Sequence, residues 1–250
     1  MRIILAPAKK MRMDDDTLAP EGLPVFLEEA ERLRKWLCGL SYGELKILWK
    51  CNDKITKQNM ERLEIMDLHR RLTPAILSYD GIAYQYMAPG VFENGAFSYV
   101  QDHLRILSGF YGVLKPMDGV TPYRLEMQAK VTMEGKSLYD FWNRKLYDEV
   151  SDGSGVIINL ASKEYSRCIE TYLKPSDRFI TCVFGELEKG KVVQKGVYAK
   201  MARGQMVRLM AENHVQQPEE MKEFDVLGYR FDKQRSDEEN FIFLKQNETH

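Results

Sequence analysis

The chain has 250 residues, 44% of them hydrophobic and 29% charged, with 36 basic residues set against 37 acidic ones. That length buries a full core as one large domain or two small ones, and the near-zero net charge excludes a protein that attracts polyanions over its whole surface. No apolar run approaches membrane-spanning length, and MRIILAPAKK is too short in apolar residues for a secretory signal, so a cytosolic protein is expected.

In chain order, Ile3 to Leu5 reads as a short buried strand ending at Pro7. Glu21 to Cys38 carries apolar residues at 26, 27, 30, 33, 36 and 37, the period of an amphipathic helix, with Gly39 as its stop. Ser41 stands three before Glu44, a capping box that opens a second helix through Trp49. Asn52 and Asp53 then punctuate before a helical run into the upper sixties. Ser98 to Leu107 and Ser137 to Val150 both read as helices, the latter with Leu138, Phe141, Trp142 and Leu146 on one face. Val156 to Leu160 is an apolar strand and 162–172 a helix. Phe179 to Leu187 and Lys191 to Ala199 flank Glu188-Lys189-Gly190 as a hairpin. Lys200 to Asn213 is a helix, 218–223 a short one, and 229–245 ends in strand-like pieces. With no repeat and no low-complexity linker, one α/β domain over 1–250 is expected, a mixed sheet surrounded by helices.

The most informative segment is Ile106 to Met127, ILSGFYGVLKPMDGVTPYRLEM. Glycines at 109, 112 and 119 and prolines at 116 and 122 set special backbone geometry around a charged pair. Arg124 and Glu126 are two residues apart, so an extended backbone projects both from one face. A well-ordered loop crossing the core, its Arg–Glu pair filling a buried polar site, is the plainer alternative.

Three further motifs stand at strand ends. Pro7-Ala8-Lys9-Lys10 follows the first strand, and a lysine there reaches a phosphate or carboxylate. In Asn159-Leu160-Ala161-Ser162-Lys163-Glu164-Tyr165, Ser162 is an N-cap candidate whose helix offers free amides to an anion. A simple cap, with Asn159 bonding the loop, serves equally. In Tyr198-Ala199-Lys200-Met201-Ala202-Arg203-Gly204 a strand runs into a helix, with Lys200 and Arg203 on one face of its first turn. Cations there oppose the helix dipole, which points to an anionic partner, Glu126 or a ligand.

Charge is partly segregated. Lys9, Lys10 and Arg12 cluster early and Lys195, Lys200, Arg203 and Arg208 late, while 14–16 and 219–239 are acidic. Cys38, Cys51, Cys168 and Cys182 are scattered and read as reduced structural thiols. The four histidines, at 69, 103, 214 and 250, lie far apart with no carboxylate pattern beside them, so no metal and no cofactor are expected.

The strings LAPAKK, HLRILSGFYGVLKPMDGVTPYRLEM, LYDFW, VIINLASKEYSRCI and VYAKMARGQMVR, in that order, resemble the YaaA family of peroxide-stress proteins, from Met1 to about Tyr229. The chain departs from the family in three places. Ala6 stands where a Ser is usual, Met201 where a second Lys is common, and Lys115-Pro116-Met117-Asp118 replaces Arg-Pro-Leu-Asp. Each exchange softens a polar contact, which bears on ligand affinity rather than on fold.

The resemblance implies a cytosolic protein that protects against hydrogen peroxide and limits free iron. It also implies DNA binding through a basic cleft, with a helix-hairpin-helix element in a family-specific α/β fold. Such an element grips the DNA backbone without reading sequence. Leu37 to Trp49 and Gln101 to Lys115 are its candidates, the first preferred. On this reading DNA is the partner, held by Lys9, Lys10, Arg124, Glu126, Asn159, Ser162, Lys200 and Arg203, with no membrane involved. The alternative is an enzyme acting on a nucleotide or nucleobase-like anion around Arg124, Glu126 and Lys200, with Glu126 or Glu164 as acid or base. A narrow, deep pocket enclosing Arg124 and Lys200 favours the enzyme. An open cleft with spread cations favours the clamp.

Overall fold

In the computed structural model, residues 1–14, 16–130, 133 and 135–246 are described. Part of the 14–16 acidic run, and His250, lie outside them.

The elements follow in chain order. Strand β1 (Arg2–Leu5) leads to helices α1 (Leu27–Cys38), α2 (Tyr42–Trp49) and α3 (Asp53–Glu64). A short strand β2 (Thr73–Pro74), helices α4 (Ala75–Ser78), α5 (Ile82–Met87) and α6 (Asn94–His103), and strands β3 (Leu104–Ser108), β4 (Gly112–Leu114) and β5 (Gly119–Val120) come next. Helices α7 (Leu138–Trp142) and α8 (Lys145–Val150) precede β6 (Val156–Asn159), α9 (Lys163–Glu170), β7 (Arg178–Glu188) and β8 (Lys191–Val193). The chain closes with α10 (Gly196–Glu212), a 3₁₀ turn at Pro218–Glu223, β9 (Tyr229–Phe231) and β10 (Asn240–Lys245).

The main sheet runs β4-β3-β1-β6-β7-β10-β9, with β8 paired to β7. Its inner run β3, β1, β6, β7 and β10 is parallel, while β4, β8 and β9 join antiparallel. Ile3 faces Leu104 on one neighbour and Ile158 on the other, and all three are buried. Strands covered by helices on both faces are apolar throughout rather than alternating, which is why β1 and β6 stand out as short unbroken apolar runs. The result is a single α/β domain with a mixed sheet and flanking helices.

Connectivity decides where a ligand sits. From β1 the chain travels to β3 on one side, whereas from β6 it proceeds to β7 on the other. The loops leaving the carboxyl ends of β1 and β6 therefore part in opposite directions and leave a crevice between them. Open α/β sheets bind their ligands at such a switch point.

Several elements differ from the sequence expectation. The helix expected over Ser98–Leu107 ends at His103, and Leu104–Ser108 is the wholly buried strand β3. A short apolar run reads equally as either, and pairing with β1 decides it. The helix expected over Ser137–Val150 breaks at Asn143, which has φ of 47° and ends α7. The first helix starts at Leu27 rather than Glu21, downstream of Pro24, and α3 stops at Glu64. The second hairpin strand ends at Val193, not Ala199, because Gly196 already begins α10. Leu37 to Trp49 holds the end of α1, a short connection and α2, whereas Gln101 to Lys115 runs from a helix end into two strands and has no second helix.

Candidate functional site

The crevice is a cavity of about 380 Å³. Its first wall is the Ala6–Lys10 loop. The Tyr84 hydroxyl donates to the Ala6 carbonyl at 3.0 Å, and Gly81 abuts Ala8 so closely that a Cβ at 81 would lie 2.6 Å from the Ala8 Cβ. Lys9 lines the cavity and holds Glu126 Oε2 at 2.8 Å. Lys10, largely exposed, also borders the cavity and pairs there with Asp80 at 2.5 Å.

The second wall is the extended Tyr123–Glu126 stretch. Its two-residue spacing does place both charged side chains together, with Arg124 Nη2 lying 3.4 Å from Glu126 Oε1. The same Nη2 donates to the Trp49 carbonyl at the end of α2, at 3.3 Å. Arg124 Nε is buried and has no partner. Gly109 explains part of the glycine pattern. A Cβ there would stand 2.5 Å from the Leu125 carbonyl oxygen and 3.1 Å from the Glu126 carbonyl carbon. Only glycine lets β3 and this stretch touch, and that contact sets the depth at which Arg124 and Glu126 sit.

The third wall follows β6. Ser162 occupies the N-cap of α9 in an extended conformation, but its side chain makes no capping bond and lines the cavity instead. Glu164, in the first turn, accepts from the Gln128 amide at 3.2 Å. Burial pushes its carboxyl above the ordinary range, and the charge of Glu126 adds to this while the amide bond opposes it. Asn159 is not in the cavity. It is buried, its side-chain oxygen accepts from the Ala161 amide at 2.9 Å, and its amide donates to Thr181 at 3.3 Å. It shapes the turn and borders a neighbouring open groove.

The fourth wall is α10. Because the helix begins at Gly196, Lys200 and Arg203 lie beyond its first turn, not in it. The anion argument from the helix dipole, which falls off within one turn, therefore does not apply to them. Burial provides a different one. Arg203 Nε is buried without a partner, and desolvation lowers the pKa of its guanidinium. Gly204 brings the helix onto α5, since a Cβ there would overlap the Ala83 carbonyl oxygen. The expected basic clusters divide accordingly. Lys195 pairs with Glu186, Arg208 with Glu212 and Arg12 with Asp14, whereas Lys200 and Arg203 face the cavity and, among the described residues, form no ion pair.

Tyr84, Tyr123 and Tyr165, all nearly buried, complete the lining. None of the three is among the expected site residues. The aromatic-rich run Tyr79-Asp80-Gly81-Ile82-Ala83-Tyr84 was their signal, and Tyr123 sits inside the very segment that was singled out. Among the described residues no three or more His, Cys, Asp and Glu stand together to hold a metal ion, and no helix is long and apolar enough to cross a membrane.

The fold and the site define an α/β protein with a cation-walled, aromatic-lined cavity at a sheet switch point. Residues 1–235 match the family model described as "Peroxide stress protein YaaA". The chain is 60% identical over 247 residues to a UPF0246 protein of Agathobacter rectalis, covering 98% of this chain and 99% of that one. A UPF0246 protein of Desulfitobacterium hafniense is 54% identical, with 98% of each chain covered. One from Pediococcus pentosaceus is 47% identical over the full length of both. The chain belongs to the YaaA family of peroxide stress proteins.

Proposed function

We propose that this protein serves the peroxide response in the cytosol by taking one nucleotide-sized anionic unit into the cavity. The observation that carries this reading is the pairing of open positive charge with enclosure. Half-buried Arg124 and Arg203 each keep a buried Nε without a partner in the lining of a cavity of about 380 Å³, where Lys200 and Arg203, among the described residues, form no ion pair. Ligand sites of this kind occupy a few hundred Å³ and are mostly apolar with a few placed polar groups. An arginine binds phosphate or carboxylate with directed, charge-assisted hydrogen bonds. Tyr84, Tyr123 and Tyr165 give the lining an aromatic part for a base to pack against.

On this reading Lys200 and Arg203 hold the phosphate, and Arg124 is kept in place by Glu126. If the protein is an enzyme, Glu164 is the group placed to give or take a proton, since burial and then the nearby Glu126 raise its carboxyl. The test is calorimetric titration with adenosine and inosine 5′-monophosphates against the parent nucleosides. The nucleotides are expected to bind at least about tenfold more tightly, the value of one charge-assisted contact set. Lys200→Glu is expected to abolish the difference. Equal, weak binding of nucleotides and nucleosides overturns the reading.

DNA binding through phosphates is the second reading, and a specific feature favours it. Lys50, Lys54 and Lys57 are exposed around the α2–α3 connection, with Lys54 and Lys57 on one face of α3. The preceding residue, Trp49, is the one whose carbonyl holds Arg124. Salt-titrated binding to duplex and branched DNA tests it. A steep salt slope, reduced in a Lys54→Glu/Lys57→Glu double variant and in Arg203→Glu, is the expected result. Salt-insensitive weak binding removes DNA as a partner and with it the protection of DNA from iron-driven peroxide damage.

A further inference from the structure

Beneath the cavity lies a chain of three hydroxyls, on Ser108, Tyr123 and Tyr79. The Ser108 and Tyr123 oxygens are 2.6 Å apart, and those of Tyr123 and Tyr79 2.9 Å. All three residues are buried. The direction of this chain follows from counting protons and lone pairs. The Ser108 oxygen already accepts from the Phe110 amide at 3.1 Å and the Tyr111 amide at 2.8 Å. Both its lone pairs are in use, so its own proton must go to Tyr123.

One proton then fills the link between Tyr123 and Tyr79, and one is left over. It belongs to one of the two phenols, and a buried O–H without an acceptor is costly. Tyr79 opens on a recess beside Arg12 and Gln85, whereas Tyr123 lines the main cavity. When Tyr79 donates to it, Tyr123 accepts two hydrogen bonds and has its own proton free. A hydroxyl that accepts in this way is a stronger donor, because each bond polarises the next. The same two bonds hold the Tyr123 phenol down against a burial effect that otherwise raises it, leaving it at about 12.

Resting on the nucleotide reading, we propose that Tyr123 is a ligand-binding residue whose hydroxyl donates to an acceptor oxygen on the occupant, so that the site selects a keto-bearing base over an amino-bearing one. A lactam oxygen accepts this proton. To accept from an exocyclic amino group in the same place, Tyr123 must turn its own proton to Tyr79, which leaves the spare proton on buried Tyr79, a hydroxyl bonded to Tyr123 alone among the described residues. Ser108 and Tyr79 are positioning residues, acting through Tyr123.

The experiment compares inosine and adenosine 5′-monophosphates, which differ at this one group, on the full chain by calorimetry. The native protein is expected to prefer the inosine nucleotide by at least about tenfold, the effect of leaving a buried donor unsatisfied. Tyr123→Phe is expected to bring the ratio to about one while the shared phosphate affinity remains, and Tyr79→Phe to reduce it by about threefold through the lost polarisation. A purely structural role would weaken both nucleotides alike and leave the ratio unchanged. Equal affinities in the native chain overturn the inference and leave the cavity reading standing, whereas no binding of either nucleotide overturns both. If Tyr123→Phe does not fold, as its melting curve would show, Tyr79→Phe and the native ratio decide the matter. An unaltered ratio in Tyr79→Phe removes the relay.

Discussion

The two ends of the same parallel strands handle charge in opposite ways. At the amino ends, Arg2 and the terminal amine meet Asp152, at 3.4 and 3.2 Å. The buried Arg105 donates to the carbonyls of Gln101 and Leu104, around the last turn of α6, where the helix dipole is negative. At the carboxyl ends, Glu126 engages Lys9 and Arg124, but Lys200 and Arg203 are left facing a cavity. Both ends leave an arginine Nε without a hydrogen bond, on Arg2 and Arg105 as on Arg124 and Arg203, but at the carboxyl ends Lys200 and Arg203 line a cavity and meet no carboxylate, which suits that end to a ligand. Cations that line an enclosed space without an ion pair are complemented by an external anion.

The largest expected effect breaks the contrast at its foundation. Gly204→Val drives a side chain into the Ala83 backbone. It should cost about 3 kcal/mol or more by overpacking, lowering the melting temperature and abolishing nucleotide binding together. Gly43→Ala, on α2 with nothing near its would-be Cβ, should instead leave stability equal or raised by up to about 1 kcal/mol.

Arg203→Met sharpens the comparison. Removing a guanidinium that has no ion pair and only a long bond to Gln194 Oε1, at 3.5 Å, should keep stability within about 1 kcal/mol of the native chain, yet lower nucleotide affinity at least about tenfold. A marked loss of stability without loss of binding would make Arg203 a structural residue.

Asp152→Asn tests the other end. Burial raises the Asp152 carboxyl, but hydrogen bonds from Ser154 and the terminal amine outweigh it and hold the group at about 2 rather than 3.8. A depressed pKa contributes stability that is present above pH 3.8 and lost as the pH falls through about 2. The variant should lose about 1 kcal/mol at pH 7, converge with the native chain near pH 2, and bind nucleotide unchanged.

Glu164→Gln should have the smallest effect, with the reverse sign. Its carboxyl is raised above 4.5 by burial, so the charged form costs stability once the pH rises past 4.5. The variant should melt slightly higher than the native chain at pH 7 and equally at pH 4. If Glu164 is the proton-transfer group, turnover of any substrate falls sharply even though the protein is more stable.

Much of this was legible in the residues. The unbroken apolar runs of β1 and β6, the Ser41–Glu44 capping box and the Arg124–Glu126 spacing are local signals, and each corresponds to an observed feature. The failures have local causes too. Leu104 to Leu107 carries no period that separates a strand from a helix end, and nothing around Asn143 announces its left-handed backbone. Asn159 looked like a ligand contact because a polar residue at a strand end is compatible with either role. Only its bonds to Ala161 and Thr181 show that it is satisfied internally.

By itself the sequence determined the α/β class, the family, and which cations and carboxylates stand beside strand ends. Those depend on periodicity, capping and spacing, which act over a few residues. Tertiary structure alone decided which of those groups share one cavity and which are neutralised elsewhere. The cavity's walls come from five separate stretches of chain, held at contact distance by Gly81, Gly109 and Gly204. Whether a charge is open or paired depends on what the fold brings within about 4 Å of it, the range over which ion pairs form, and residues far apart in sequence set that distance.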